Sequence, residues 1–195
     1  DLHSFPTRRS SDLHIADSTL LKLGLIALCC MICEGTMFDW SGVYFRKVVQ
    51  VPKELTTLGY TAFMCTMATG RFVGDWLTTK LGTKTMLQGS GFIIAIGLSL
   101  AILFPYLISA TAGFLLVGVG VSSVVPLVYG AAGRSVKFSP GVALAAVSTI
   151  GYLGFLAGPP MIGFIAEAAN LRVSFSVIAV LGFCTSIIAT KTKFN

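Results

Sequence analysis

The sequence predicts an all-α, polytopic integral membrane protein with six transmembrane helices. Of its 195 residues, 54% are hydrophobic and only 11% are charged, whereas soluble domains carry about 25% charged residues. Residues 55–70 and 85–133 contain no charged side chain. Because one bilayer crossing takes about 20 residues, the second interval alone holds two crossings and a turn. Open strands cannot cross lipid, so the crossings are predicted to be helices.

Six apolar stretches are long enough to be spans, and short polar connections make neighbouring spans antiparallel. Phe104 and Pro105 mark the tightest predicted turn. Together the spans form one predicted domain, residues 14–195. The predicted spans are 19–45, 55–77, 85–104, 107–132, 141–168 and 172–190.

Residues 1–13 are polar and unlike the rest of the chain. They resemble a translated sequencing-adapter remnant, and a native cytoplasmic linker is the alternative. No apolar core with a cleavage site follows them, which excludes a signal peptide. We therefore expect a disordered leader and leave it out of the fold prediction.

The cations are distributed unequally between the two predicted sides of the membrane. One side holds Lys22, Arg71, Lys80, Lys84, Arg134, Lys137, Lys191 and Lys193. The other holds Arg46, Lys47, Lys53 and Arg172, offset by Asp39, Glu54 and Glu167. The positive-inside bias makes the first side cytoplasmic, with both termini inside a multi-pass protein of the inner (plasma) membrane. The net charge of +6 thus reflects anchoring in the lipid bilayer and predicts no nucleic-acid partner.

No motif in the sequence indicates an enzyme. There is no Gly-x-Ser-x-Gly elbow, no His-Glu-x-x-His pair and no phosphate-binding loop. Cys29, Cys30 and Cys33 allow a metal site, but no second ligand pair follows them, so small buried hydrophobic side chains are the favoured interpretation. Neither a metal nor a cofactor is predicted.

Glu34 is the strongest candidate for a proton- or solute-binding residue. It follows Lys22 by about 18 Å of helix, which places it near the middle of the membrane. An ionisable group at that depth is costly and normally faces a cavity, a partner or a transported species. The alternative is a paired or protonated glutamate that only joins helices.

Aromatic and acidic residues near the outer end of the first span form a second candidate site. Asp39, Trp40 and Tyr44 follow Glu34 within three helical turns. They belong either to an interfacial belt, with Asp39 paired to Arg46, or to the outer mouth of a cavity where the rings stack on a sugar-like substrate.

Tyr60 and Tyr152 add neutral polar groups within spans, and each can hydrogen-bond a solute or a neighbouring helix. Two spans also contain prolines that predict bends, at Pro126 and at the run Gly158, Pro159 and Pro160. Such bends either line a cavity that changes shape or are static packing kinks.

The segment GRFVGDWLTTKLGTK, residues 70–84, is predicted to be a charged loop between the second and third spans. It resembles the loop motif of the major facilitator superfamily, which joins the second and third helices of each six-helix half on the cytoplasmic side. One departure is Thr78, which stands where the motif carries an acid. The resemblance assigns the following residues to a cytoplasmic gate, with helix capping and anchoring as the alternative: Gly70, Arg71, Gly74, Asp75, Lys80 and Gly82.

The resemblance covers residues 19–190, which are similar to the C-terminal half of a twelve-helix fold. It implies a secondary transporter that moves a small solute by alternating access, with protons as a candidate coupling ion and a missing N-terminal six-helix half as partner. Glu34 is then expected to be the residue that binds the proton or the solute, well away from the charged motif. The rival hypotheses are a non-transporting receptor or scaffold on the same helices, and a channel or membrane enzyme.

Overall fold

A computed structural model describes residues 18–192 and residue 194, and this part of the chain contains helices and no strand. The predicted leader, residues 1–13, lies outside the described residues, as does Lys193. The helices are α1 (Ser18–Tyr44), α2 (Leu58–Leu81), α3 (Thr83–Leu103), α4 (Leu107–Ser122), α5 (Val124–Gly133), α6 (Pro140–Ala168) and α7 (Leu171–Thr190). A π-helical turn, Phe45–Val49, extends α1, and a 3₁₀ turn, Lys53–Leu55, precedes α2.

The all-α membrane fold is confirmed. Among the described residues, five helical segments are long and apolar enough to cross a membrane, and α4 and α5 together form one of them, Leu107–Gly133. The remaining segment, α2, is 24 residues long but is less apolar because it carries Arg71, Asp75 and Lys80. At 1.5 Å per residue α2 extends about 36 Å, which is sufficient for a sixth crossing.

The charged segment between α2 and α3 is helical, so the prediction of a loop over residues 70–84 is wrong. Helix α2 runs to Leu81 and α3 begins at Thr83, which leaves Gly82 alone as the turn. Gly82 adopts a φ of 80°, and its N–H donates to the carbonyl of Thr78 at 2.9 Å. Because glycine has no Cβ, it reaches this left-handed φ without strain.

The fourth span is broken at Ser123, where α4 ends and α5 begins. Pro126 lies just inside α5 and has no N–H to donate to the carbonyl of Ser122. The break therefore coincides with the hydrogen bond that this proline removes. Pro159 and Pro160, by contrast, lie within α6, which continues through them.

Three buried aromatic rings hold α1, α4 and α7 together at the centre of the bundle. The ring of Tyr44 lies 4.4 Å from that of Phe175 and 5.7 Å from that of Phe114, and the last two stack at 5.9 Å. The Tyr44 hydroxyl donates to the carbonyl of Ala101 in α3 at 2.9 Å. Four helices thus meet around one side chain.

Helix α6 packs on α1 through a row of glycines. A Cβ placed on Gly154 would lie 2.7 Å from the carbonyl oxygen of Leu28, and one on Gly158 would lie 3.0 Å from that of Ile32. Such distances leave no room for a side chain. Small residues let helix backbones approach closely in a membrane, and this contact positions the middle of α1 against α6.

Candidate functional site

An ion pair joins α1 to α2 inside the bundle. Nη2 of Arg71 lies 3.5 Å from Oε1 of Glu34. The Glu34 side chain is only 10% exposed, whereas that of Arg71 is 51% exposed. The interpretation that separated Glu34 from the charged motif is therefore wrong, because Arg71 belongs to that motif and reaches the buried carboxylate.

The two side chains of this pair differ in burial, and this difference determines what the pair can do. A buried carboxylate needs a compensating charge, and removing the partner of such a group is costly. If Glu34 accepts a proton, it loses its charge and its attraction to Arg71 weakens. Arg71 is half-exposed and is then free to move or to bind another group. The pair can thus couple the protonation of α1 to the position of a side chain on α2.

An aromatic layer lies next to the ion pair. Phe38 is one helical turn further along α1 than Glu34, and such a spacing puts both side chains on the same face of the helix. Its ring lies 6.2 Å from Tyr60, 6.0 Å from Phe63 and 5.9 Å from Phe155. Phe38 therefore links α1 to both α2 and α6. Phe38 was not among the residues predicted to form a site, although its spacing from Glu34 was a usable signal.

Two cavities flank the C-terminal part of α1. The larger, about 840 Å³, lies towards the start of α2 and includes Tyr60 in its lining. The smaller, about 500 Å³, lies towards α6 and is lined in part by Phe155 and Pro159. Asp39 and Trp40 line both cavities. Volumes of about 300–1,000 Å³ are typical of small-molecule sites.

Trp40 and Asp39 differ in how firmly they are held. Nε1 of Trp40 donates to the carbonyl of Pro159 at 3.0 Å, which ties the ring to the double proline of α6. The Asp39 carboxylate is exposed, and within the part of the chain that the structure describes, no ion pair joins it to Arg46. The indole is thus fixed while the carboxylate beside it is available.

The three tyrosines predicted to bind a solute have different environments. Tyr60 lines the larger cavity and is partly exposed. Tyr152, on α6, is 57% exposed. Tyr44 is fully buried in the aromatic core, so its assignment to the mouth of a cavity is wrong. The neighbouring helices α3, α4 and α7 cover its ring, and the sequence alone did not indicate this.

Two glycines of the charged motif pack against the break between α4 and α5. A Cβ on Gly70 would lie 2.5 Å from Oγ of Ser122, and one on Gly74 would lie 2.6 Å from Oγ of Ser123. The sequence predicted a bend at the nearby Pro126 but gave no sign that the motif packs there. The glycines are therefore required for close helix packing rather than for a flexible loop.

The other motif residues lie towards the end of α2. Asp75 and Lys80 are exposed, and Nζ of Lys80 sits 4.0 Å above the ring of Trp76. Among the described residues, no group of three or more histidine, cysteine or acidic side chains could hold a metal ion.

Sequence comparisons agree with this geometry. The profile of the family described as Major Facilitator Superfamily matches residues 23–193. An uncharacterized MFS-type transporter of Yersinia pestis is 38% identical over 162 residues, which are 83% of this chain and 42% of that protein. Membrane protein MosC of Rhizobium meliloti is 37% identical over 162 residues, 83% of this chain and 40% of that protein. The chain thus spans less than half the length of these curated relatives.

Solved structures share the fold. A crystal structure of the peptide transporter POT in complex with alafosfalin superposes with a TM-score of 0.79 at 15% identity, over 88% of this chain and 37% of that one. The POT family transporter PepTSo gives a TM-score of 0.76 at 14% identity, over 89% of this chain and 37% of that one. By sequence and by fold, the chain belongs to the Major Facilitator Superfamily of membrane transporters.

Proposed function

We propose that this chain is the C-terminal half of a secondary active transporter that moves a small solute across the inner membrane by alternating access. The observation that carries the proposal is the Glu34–Arg71 pair, a buried carboxylate held by a half-exposed arginine from a neighbouring helix. Ionisable groups at such depth usually mark a transport pathway or a proton relay.

The missing partner in this proposal is an N-terminal six-helix half. The relatives' greater length supports it, since the chain covers only 42% of the first relative. The two halves would rock against each other around a solute held near the midplane, with both chain termini cytoplasmic. Sequencing the DNA upstream of the codon for His14 tests this part, and an upstream stop codon without six further spans would refute it.

Protons are the proposed coupling ion. In one state Glu34 is ionised and holds Arg71. A proton that enters the pathway binds a Glu34 carboxylate oxygen, the ion pair opens, and the Arg71 guanidinium becomes available to bind another group. Loss of the proton on the other side restores the pair. The pair thus links proton binding to a rearrangement between α1 and α2.

The charged motif acts as the cytoplasmic gate in this scheme. Gly70 and Gly74 rest on Ser122 and Ser123, where the fourth span is broken. A movement of α2 that follows the opening of the ion pair therefore acts on the broken span. Asp75, Lys80 and the turn at Gly82 lie at the end of the same helix. The bends at Pro126 and at Gly158, Pro159 and Pro160 are proposed to shape the walls of the solute pathway.

The Glu34→Gln variant tests the coupling role. In the full-length protein reconstituted in proteoliposomes, we expect it to lose accumulation driven by a pH gradient while it still exchanges solute across the membrane. Glutamine preserves the shape of the side chain but cannot take up the proton. Glu34→Asp keeps the carboxyl group and should retain coupling at a lower rate.

Glu54→Gln is the matched control, because Glu54 is exposed at the outer end of the protein and lies outside the proposed pathway. Unchanged gradient-driven uptake by Glu34→Gln would refute the coupling role. If the wild-type protein transports no member of a broad panel of sugars, organic acids and organic cations, the transporter proposal itself is wrong.

A further inference from the structure

We infer that the two cavities beside Asp39 and Trp40 form the outer binding site for a neutral, polyhydroxylated solute of sugar size. This inference rests on the proposed transport function and specifies its substrate class. It follows from two features of the cavity walls, namely a fixed aromatic ring and polar groups of both charge signs.

Trp40 supplies a rigid stacking surface. Its indole N–H is already used in the bond to the Pro159 carbonyl, so the ring presents its apolar surface to a ligand and keeps its orientation. Both cavities include Trp40 in their lining. The C–H face of a sugar ring is apolar and can cover such a surface, while the hydroxyl groups at its edge remain free to hydrogen-bond. Tyr60 provides a second, partly exposed ring in the larger cavity.

Charges of opposite sign line the larger cavity. Asp39 contributes a carboxylate that accepts hydrogen bonds, and Arg46 and Lys47 contribute donors. A cationic solute would be attracted to Asp39 but repelled by the two basic side chains. An anionic solute would be attracted to the two basic side chains but repelled by Asp39. A neutral solute with several hydroxyl groups is repelled by none of them. Each of its hydroxyls can donate to the carboxylate or accept from the cations, and hydrogen bonds to charged groups are stronger than neutral ones.

Ser41 does not contribute to this site, although it borders the larger cavity, because its side chain is fully buried and has no surface that a solute can reach. The other wall residues provide stacking and hydrogen bonds together, which is the combination that a polyhydroxylated ring requires.

The test is an uptake panel on the full-length protein in proteoliposomes. The neutral probes are glucose, ribose and mannitol, the cationic probe is choline and the anionic probe is succinate. We expect saturable uptake of at least one neutral probe and none of choline or succinate. For that probe, Asp39→Asn and Trp40→Ala should each raise KM about tenfold, since each removes an interaction of roughly 1.4 kcal/mol or more. Trp40→Phe keeps a stacking ring and should have a smaller effect on KM.

Phe92→Leu is the control, because Phe92 is an exposed aromatic residue on α3 that lines neither cavity and lies outside the charged motif, and we expect its KM to be unchanged. Uptake of choline or succinate but of no neutral probe would overturn the inference and leave the transport function standing. Polyol uptake with an unchanged KM in both Asp39→Asn and Trp40→Ala would refute the site. If none of the five probes nor any solute of the broader panel is taken up, both the inference and the proposed function are wrong.

Discussion

Trp40 and Tyr44 are one helical turn apart on α1, yet the structure gives them opposite environments. Tyr44 is enclosed by α3, α4 and α7, and its hydroxyl is bonded to the Ala101 carbonyl. Trp40 contacts α6 on one side and borders two cavities on the other. Residues four apart share a face of a helix, so their spacing predicts similar orientation. What differs is the set of neighbouring helices at each level of the bundle.

The contrast separates a structural level of α1 from the level that we propose binds the solute. Around Tyr44, ring contacts of 4.4–5.9 Å fill the space between helices. Around Trp40, the cavities of about 500 and 840 Å³ leave space that a solute can occupy. A mutation of Tyr44 should therefore reduce stability more than transport, and a mutation of Trp40 should reduce transport more than stability.

The largest expected effect is on the stability of the core. Tyr44→Ala empties the volume between α1, α4 and α7 and should destabilise the protein by about 3–5 kcal/mol, the range for large-to-small changes of buried aromatic residues. Thermal unfolding of the full-length protein in detergent measures this. A thiol-reactive dye can report it, because Cys29, Cys30 and Cys33 are buried free thiols in the same helix.

Tyr152→Ala is the control for this prediction, since Tyr152 is exposed on α6 and its truncation leaves no buried cavity. Equal loss of stability in the two variants would show that the Tyr44 level is not the structural centre that the geometry indicates.

The fold was largely predictable from the sequence, because membrane spans depend on local composition. Long uncharged runs such as residues 85–133 identify helices without any knowledge of their packing. Their ends were less predictable. The charged segment before Gly82 looked like a loop, yet it continues α2, because helix formation tolerates its threonines and its charges can lie at the membrane surface.

The candidate site was only partly predictable, because it depends on contacts between distant parts of the chain. The burial of Glu34 was expected from its depth in the first span. Its ion pair with Arg71 was not expected, because counting residues along each helix does not show how far a long arginine side chain reaches back into the bundle. The prediction for Tyr44 was wrong for the same reason, because the helices that cover it, α3, α4 and α7, are distant from it along the chain and begin only at Thr83.

An intermediate effect is expected where α6 packs against the middle of α1. Gly158→Ala adds a methyl group that would lie 3.0 Å from the Ile32 carbonyl oxygen and 3.2 Å from the Ile32 Cα. Both atoms belong to the backbone, so the helices must separate, at a cost of about 1–3 kcal/mol. The same thermal unfolding assay measures the loss.

Gly141→Ala is the matched control in the same helix, because a Cβ at Gly141 would meet nothing within 4 Å. It should preserve stability or raise it slightly, since alanine favours helix more than glycine does. A loss of stability in Gly141→Ala as large as that in Gly158→Ala would argue against close packing as the cause.

The smallest effect on stability is expected at the cavity level. Trp40→Phe removes the hydrogen bond from the indole to the Pro159 carbonyl and should cost about 0.5–1.5 kcal/mol. Asp39→Asn, at an exposed position, should change stability by less than about 0.5 kcal/mol. Thermal unfolding checks both values against Tyr44→Ala. If Trp40→Phe were as destabilising as Tyr44→Ala, the level of Trp40 would be part of the core, and its cavities would be packing defects rather than a solute site. A small loss of stability combined with impaired transport would instead place the two levels of α1 in separate roles, since a residue that affects uptake without affecting folding acts in the transport cycle and not in the core.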